Sequence, residues 1–345
     1  DSLCPTCAPV HYAKRTQTAD LRGKIALVTG ARVTSGHAIA LKLLRAGATV
    51  IGTTRFPRDA AARFATEPDF TTWRDRLHLH GLDFRAAGWV EAFADHLARS
   101  FHALHILINN AAQTVRRPAP FYAHLVAGEC ASEVPVALRP LLASDTAMSS
   151  DAPPGLAARM SQAQVLPEDA RALPGTSADA LDLRDHNTWT LGLGAVASAE
   201  CLETLLVNAA APFILTGRLR ALMNRDPLAD KWVVNVTAVE GQFARAQKSG
   251  RHPHLDMAKA ALNMLTRSAA DDYARDRIYM NSVDVGWFSS GEPAPVIAAM
   301  QAQGFALPID VIDAASRACD PIFTGVATGV QIHGKLLKNY APVAW

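Results

Sequence analysis

The feature that most constrains this chain is an apolar run ending on a glycine, with a second glycine and a helical pattern after it. Lys24-Ile25-Ala26-Leu27-Val28-Thr29-Gly30 has the composition of a buried strand. Ala38-Ile39-Ala40-Leu41-Lys42-Leu43-Leu44 has helical spacing, and Gly47 supplies a stop. Ala48-Thr49-Val50-Ile51-Gly52-Thr53-Thr54 is again strand-like. The three make a βαβ unit of about 30 residues, the size such a crossover needs. Leu77 to Asp83, His105 to Asn110 and Trp232 to Thr237 read as further strands. Near-continuous apolar strands separated by helical stretches predict a parallel sheet covered on both faces. The expected fold is α/β, a doubly wound parallel sheet in three layers.

Within the 345 residues this predicts one domain over 21–345, preceded by an irregular N-terminal extension, 1–20. An insertion is expected at about 113–190, which lacks strong periodicity and holds eight of the chain's 20 prolines. So long a loop is improbable without short helices of its own, one of them over 168–173, and it reads either as a surface elaboration or as a pocket wall.

The turn Thr29-Gly30-Ala31-Arg32-Val33-Thr34-Ser35-Gly36 joins the first strand to the first helix. Gly30 permits the tight turn, Gly36 is expected to let backbone approach a pyrophosphate, and the helix N-terminus offers free N–H groups. At the end of the second strand, where an acidic residue would select NAD, the chain reads Thr53-Thr54-Arg55-Phe56-Pro57-Arg58, and Asp59 is the first carboxylate. A guanidinium there suits a 2′-phosphate, and Arg32 is placed to add a second charge. The expected cofactor is NADP(H).

These residues resemble the short-chain dehydrogenase/reductase family, whose turn has the form TGxxxGxG. The resemblance implies a Rossmann-type fold and several further stations. Asp83 and Phe84 stand where the family contacts adenine, and Asn109-Asn110-Ala111-Ala112 matches its NNAG segment. Thr34, Ser35, Thr237 and Gly286 complete the implied cofactor contacts. Asn208 matches the helix asparagine that helps to order a relay water. Lys259, in Met257-Ala258-Lys259-Ala260-Ala261, matches the lysine of YxxxK, which binds the nicotinamide ribose. Homodimers or homotetramers built on the helices around Asn208 and Lys259 are implied as well.

The departures fall at the chemistry. Leu255 stands four residues before Lys259, in the tyrosine's place, and Ala238 stands in the serine's. Thr34 replaces the middle glycine of the turn, and Val285-Gly286 replaces Pro-Gly. The pattern resembles a divergent subgroup with HPHxxMAKAAL for YxxxK and a C-terminal GKxLKxY. Candidates for the missing acid are His252, His254 and Asp256, with His254 and Asp256 expected to reach the pocket, and Tyr122 or His124 from the insertion. Arg116 and Arg117 either bind an anionic substrate or cap a loop.

Three functions remain open. The first is an NADP(H)-dependent oxidoreductase acting on a small-molecule carbonyl, alcohol or conjugated double bond. The second is a non-redox isomerase, lyase or cyclase on the same scaffold, and the third is an NADP(H)-binding pseudoenzyme. A formal charge of +2 gives no reason to expect nucleic acid. No apolar stretch reads as a membrane span, and five scattered cysteines suit a cytoplasmic, reduced protein. The single Cys4-Pro5-Thr6-Cys7 pair lacks a second pair, so no metal site is expected, although His11 stands near enough in sequence to be a third ligand.

Overall fold

The computed structural model describes residues 3–131, 133–143, 155–162, 182, 184 and 186–345. The first half of the chain runs α1 (Ala8–Thr16), β1 (Ile25–Thr29), α2 (Thr34–Arg45), β2 (Thr49–Thr54), α3 (Pro57–Ala65), α4 (Phe70–Trp73), β3 (Leu77–Gly81), α5 (Ala87–Ser100) and β4 (Ile106–Asn109). The second half adds α6 (Ala123–Cys130), α7 (Leu156–Met160), α8 (Ser198–Leu205), α9 (Ala211–Met223), β5 (Lys231–Thr237), α10 (Pro253–Ala274), β6 (Ile278–Asp284), α11 (Ala294–Ala302), α12 (Val311–Thr328), β7 (Leu336–Lys338) and β8 (Ala341–Val343).

The strands form one sheet in the order β3-β2-β1-β4-β5-β6-β7-β8, parallel except for the last pair. The expected doubly wound α/β architecture is therefore present. Side chains alternate across the pleat, and both faces are covered. Ala26, Val28, Ile106, Ile108 and Val234 enter one core with Ile39 and Leu43 of α2 and Phe323 of α12. Leu27, Leu107 and Val233 enter the other with Phe93 of α5, Leu219 of α9 and Tyr273 of α10. That two-sided burial is why the strand sequences are apolar at nearly every position. Chain order reverses between β1 and β4, and ligands of such sheets sit beyond the carboxyl ends of the strands at that point.

One expectation needs correction. The N-terminal extension is helical, and α1 is docked on α12: Lys14 pairs with Asp320 at 2.5 Å, and Arg15 forks onto Asp310 at 2.9 Å for each arm. Ser198–Met223 is long and apolar enough by composition to cross a membrane, with mean hydropathy 1.3. Half of it is buried, α9 packs on α5, and a π-turn at Leu206–Ala210 interrupts it. It is a core helix. The insertion does carry short helices, α6 and α7, and its Ala143 N–H donates to the Leu79 carbonyl at 2.9 Å, covering the edge strand β3. The helix expected over 168–173 lies outside the described residues.

Candidate active site

A cavity of about 1810 Å³ opens at the carboxyl ends of β1, β2, β4, β5 and β6. At its floor Gly30 adopts φ +69°, and a Cβ there would lie 3.0 Å from the Ala111 Cα. Gly36 does not line the cavity. A Cβ on it would lie 2.1 Å from the Gly30 carbonyl oxygen and 2.6 Å from the Asn110 Nδ2. Its smallness lets α2 close on the turn, which corrects the expected approach to pyrophosphate. Thr34 takes the left-handed φ of +51°, rare for a β-branched residue. Ser35 Oγ donates to Asn110 Oδ1 at 2.9 Å, and Asn110 Nδ2 donates to the Thr29 carbonyl at 3.0 Å, so the turn is tied to the segment after β4. No side chain caps α2, which leaves its first main-chain N–H groups facing the cavity beside Val33, Thr34 and Ser35.

The adenosine-side wall is cationic and aromatic. Arg55 lies 4.7 Å from the Tyr122 ring centroid and 5.4 Å from that of Phe56. Among the described residues no carboxylate forms an ion pair with it. Arg32 pairs with Asp59 at 2.8 Å, and Arg63, which the sequence reading missed, shares that carboxylate at 2.7 Å. One carboxylate thus balances two of three guanidinium groups. Asp83 and Phe84 line the same end, with Asp83 buried and paired to Arg85 at 2.8 Å. Arg85 continues to Glu203 at 2.9 Å. Tyr122 and His124 stand at this end, so neither replaces the acid beside a reacting centre.

Ala111 and Ala112 lead along the wall to Thr237, whose buried Oγ1 has no partner among the described residues. Lys259 is buried, and its Nζ donates to the Val236 carbonyl at 2.8 Å. Burial lowers its pKa to about 8, opposed by the nearby charges of Glu240 and Asp284. Gly286 adopts φ +83°, and a Cβ there would strike Arg317 Nη1 at 2.3 Å. Asp284 accepts from Gln242 at 3.1 Å and pairs at 3.0 Å with Lys338, a residue of the C-terminal GKxLKxY. Ala238 and Leu255 both face the cavity and offer no exchangeable proton.

The remaining candidates move. Asn208 clamps a main chain: its Oδ1 accepts from Gln113 N at 2.7 Å and its Nδ2 donates to Gln113 O at 3.0 Å. That amide is committed to the main chain and lies outside the cavity wall. His254 is buried away from the cavity with neither ring nitrogen partnered, and burial lowers its pKa. Asp256 also lies outside the wall, 3.6 Å from Lys248 Nζ, and burial raises its pKa. Because α10 starts at Pro253, the residues it turns to the cavity are His252, Leu255 and Lys259. Arg117 and Arg184 both pair with Asp182, and Arg116 reaches Glu203 at 3.5 Å. These pairs tie the insertion down. His11 is buried against Arg317, at 3.2 Å, rather than turned to Cys4 and Cys7. Among the described residues no group of three His, Cys, Asp or Glu is arranged to hold a metal.

The family model for short chain dehydrogenases matches residues 24–126. Uncharacterized protein R665 of Acanthamoeba polyphaga mimivirus is 31% identical over 331 residues, covering 93% of this chain and 67% of its own length. A short chain dehydrogenase from Burkholderia cenocepacia, solved with NADP, superposes with a TM-score of 0.59 at 19% identity, over 92% of this chain and 97% of that one. A Serratia marcescens short-chain dehydrogenase/reductase mutant gives the same values. At such identity these two structures carry the fold. With the matching turn, Asn110 and Lys259 in their places, residues 24–126 match the short chain dehydrogenase family and the chain shares the fold of its solved members.

Proposed function

We propose that the protein is an NADP(H)-dependent oxidoreductase acting on a small-molecule carbonyl, alcohol or conjugated double bond. The observation that carries this reading is Arg55, which faces the cavity without a carboxylate partner on the adenosine side. The residues present fit the cofactor. The uncapped start of α2 suits a pyrophosphate, and Arg55 with Arg63 and Arg32 suits a 2′-phosphate. The orphan Thr237 Oγ1 and the Lys259 ammonium suit the nicotinamide riboside. When bound, the cofactor supplies or accepts a hydride. Asp83, Phe84, Asn110, Ala111, Ala112 and Gly286 shape the remaining wall, and Asn208 holds the Gln113 segment against it.

We read Ala238 and Leu255 as marks of a divergent subgroup without the usual serine and tyrosine. The same two residues favour a second reading, a non-redox isomerase, lyase or cyclase, or an NADP(H)-binding pseudoenzyme. Incubation with 4R- and 4S-deuterated NADPH and a panel of carbonyls separates them. Deuterium in a product supports the oxidoreductase. Turnover without cofactor supports the non-redox enzyme, and tight NADPH binding without any turnover supports the pseudoenzyme.

We also propose a homodimer or homotetramer. Leu202 and Phe213 of α8 and α9, and Met257 and Met264 of α10, are exposed by 44%, 65%, 51% and 51%. The seven-residue spacing of Met257 and Met264 puts both on one helical face, whereas Leu202 and Phe213 lie on either side of the π-turn. A cytoplasmic location is proposed because all five cysteines are free.

A further inference from the structure

The family's tyrosine is absent, yet the cavity still meets one titratable ring on the same helix face. His252 is the N-cap of α10, and positions 252, 255 and 259 recur on the cavity side at helical spacing. Leu255 and Lys259 occupy two of them.

The His252 ring is held from three directions. Its main-chain N–H donates to the Leu191 carbonyl at 2.8 Å. Its Nδ1 lies 2.9 Å from the Trp189 carbonyl, and its ring stacks on the Trp189 ring with centroids 4.3 Å apart and planes 15° from parallel. Trp189 is itself wedged over Gly291, where a Cβ would lie 2.6 Å from the indole. These contacts hold the backbone of His252 at φ +41°, a strained value for such a residue. A carbonyl oxygen only accepts, so Nδ1 carries the proton in the neutral ring and Nε2 is its basic nitrogen.

The charges around Nε2 are mixed. Asp256 Oδ1 lies 3.9 Å away, and Lys248 stands 3.6 Å from that carboxylate. Arg245 lines the cavity on the segment that carries Lys248, Arg251 is paired with Glu292 at 3.1 Å, and His254, two residues beyond His252, is disfavoured as a cation by burial.

We propose that His252 is the proton donor of this site, in the role that the family gives to tyrosine. The proposal rests on the oxidoreductase reading. A carbonyl carbon takes a hydride from the reduced nicotinamide as its C=O π pair moves onto oxygen. That oxygen takes the Nε2 proton. The imidazolium becomes a neutral ring that keeps its Nδ1 proton, and solvent restores the Nε2 proton. Lys259 stays hydrogen-bonded to Val236 and positions the ribose.

The test begins with nitrogen NMR of ring-labelled histidine in the full chain, with the His252 signals identified by their loss in His252→Asn. Asparagine is chosen because it tolerates the left-handed backbone. The neutral ring is expected as the Nδ1–H tautomer. Its titration midpoint should be lower with NADP+ than with NADPH, by about half a pH unit or more, because the oxidised nicotinamide carries a positive charge. Equal midpoints in the two saturated complexes would overturn the proposal. In a second arm, with any carbonyl that the native protein reduces, His252→Asn should lower kcat by about 10²–10⁴-fold. The double variant H252N/L255Y should regain part of that loss by returning a phenol to the family position. An unchanged kcat in His252→Asn would overturn the proposal in favour of Lys259. A native protein that binds neither nucleotide contradicts the oxidoreductase reading itself, a separate result that removes the proposal with it.

Discussion

At the scale of single residues, the site combines strain, desolvation and charge that can each be measured. Thr34 holds a left-handed backbone at φ +51°, which for a β-branched side chain costs about 1–3 kcal/mol. Thr34→Gly relieves it against a glycine entropy cost of about 0.5–1 kcal/mol. The variant is expected to melt higher than the native chain, and a lower melting temperature would show that Thr34 is not strained. Lys259 gives a prediction with a sign in pH. Its folded pKa, about 8, lies below the ordinary lysine value of 10.5, so the unfolded chain binds more protons between those two values. Stability therefore rises as pH climbs through that window, and the penalty is fully present below pH 8. Lys259→Met, which keeps the bulk, should be more stable than the native chain at pH 7 by about 1–3 kcal/mol, less the lost bond to Val236, with the gap closing toward pH 11. Denaturant melts at the two pH values check it.

The elements explain what could be read from sequence and what could not. The Gly30 turn, the parallel strands and Arg55 were legible because each depends on neighbours in the chain. Gly36 was legible as a necessary glycine, but its reason was not, since the Gly30 carbonyl and Asn110 meet it only once α2 closes on β1 and β4. Gly36→Ala should cost about 1–3 kcal/mol by overpacking, read as a drop in melting temperature, and should weaken NADPH binding by displacing the turn. A neutral Gly36→Ala would contradict that packing. Of the acid candidates on this segment, His254 and Asp256 lie off the cavity wall and His252 lines it, for a sharper reason. Each helical residue turns the side chain by about 100°, so the start of α10 at Pro253 decides which of three neighbouring polar residues faces the cavity. Nothing in the local sequence set that phase, and His254 points into the protein while His252 meets the cavity.

For the whole molecule, the insertion and the two chain ends converge on one cavity. Tyr122 and His124 from the insertion stand at the adenosine side, Trp189 at the other end, and Lys338 near the C-terminus reaches Asp284. Contacts separated by a hundred residues or more are set by tertiary packing, which is why Trp189 over Gly291 and the Arg85–Glu203 pair left no mark in the sequence pattern. Assembly has its own test at this scale. Phe213→Asp places a charge on the exposed apolar face of α9 and should convert the proposed oligomer to monomer in light scattering, whereas an unchanged mass would place the interface elsewhere.

The central claim is that a phosphorylated dinucleotide binds with its 2′-phosphate on Arg55, and calorimetric titration of NADPH and NADH into the native chain and Arg55→Ala tests it most directly. The native chain should bind NADPH more tightly than NADH by about 10–100-fold, and Arg55→Ala should lose most of that preference while its NADH affinity stays unchanged. Equal affinity for the two nucleotides in the native chain, or an Arg55→Ala variant that keeps its preference for NADPH, would contradict the account.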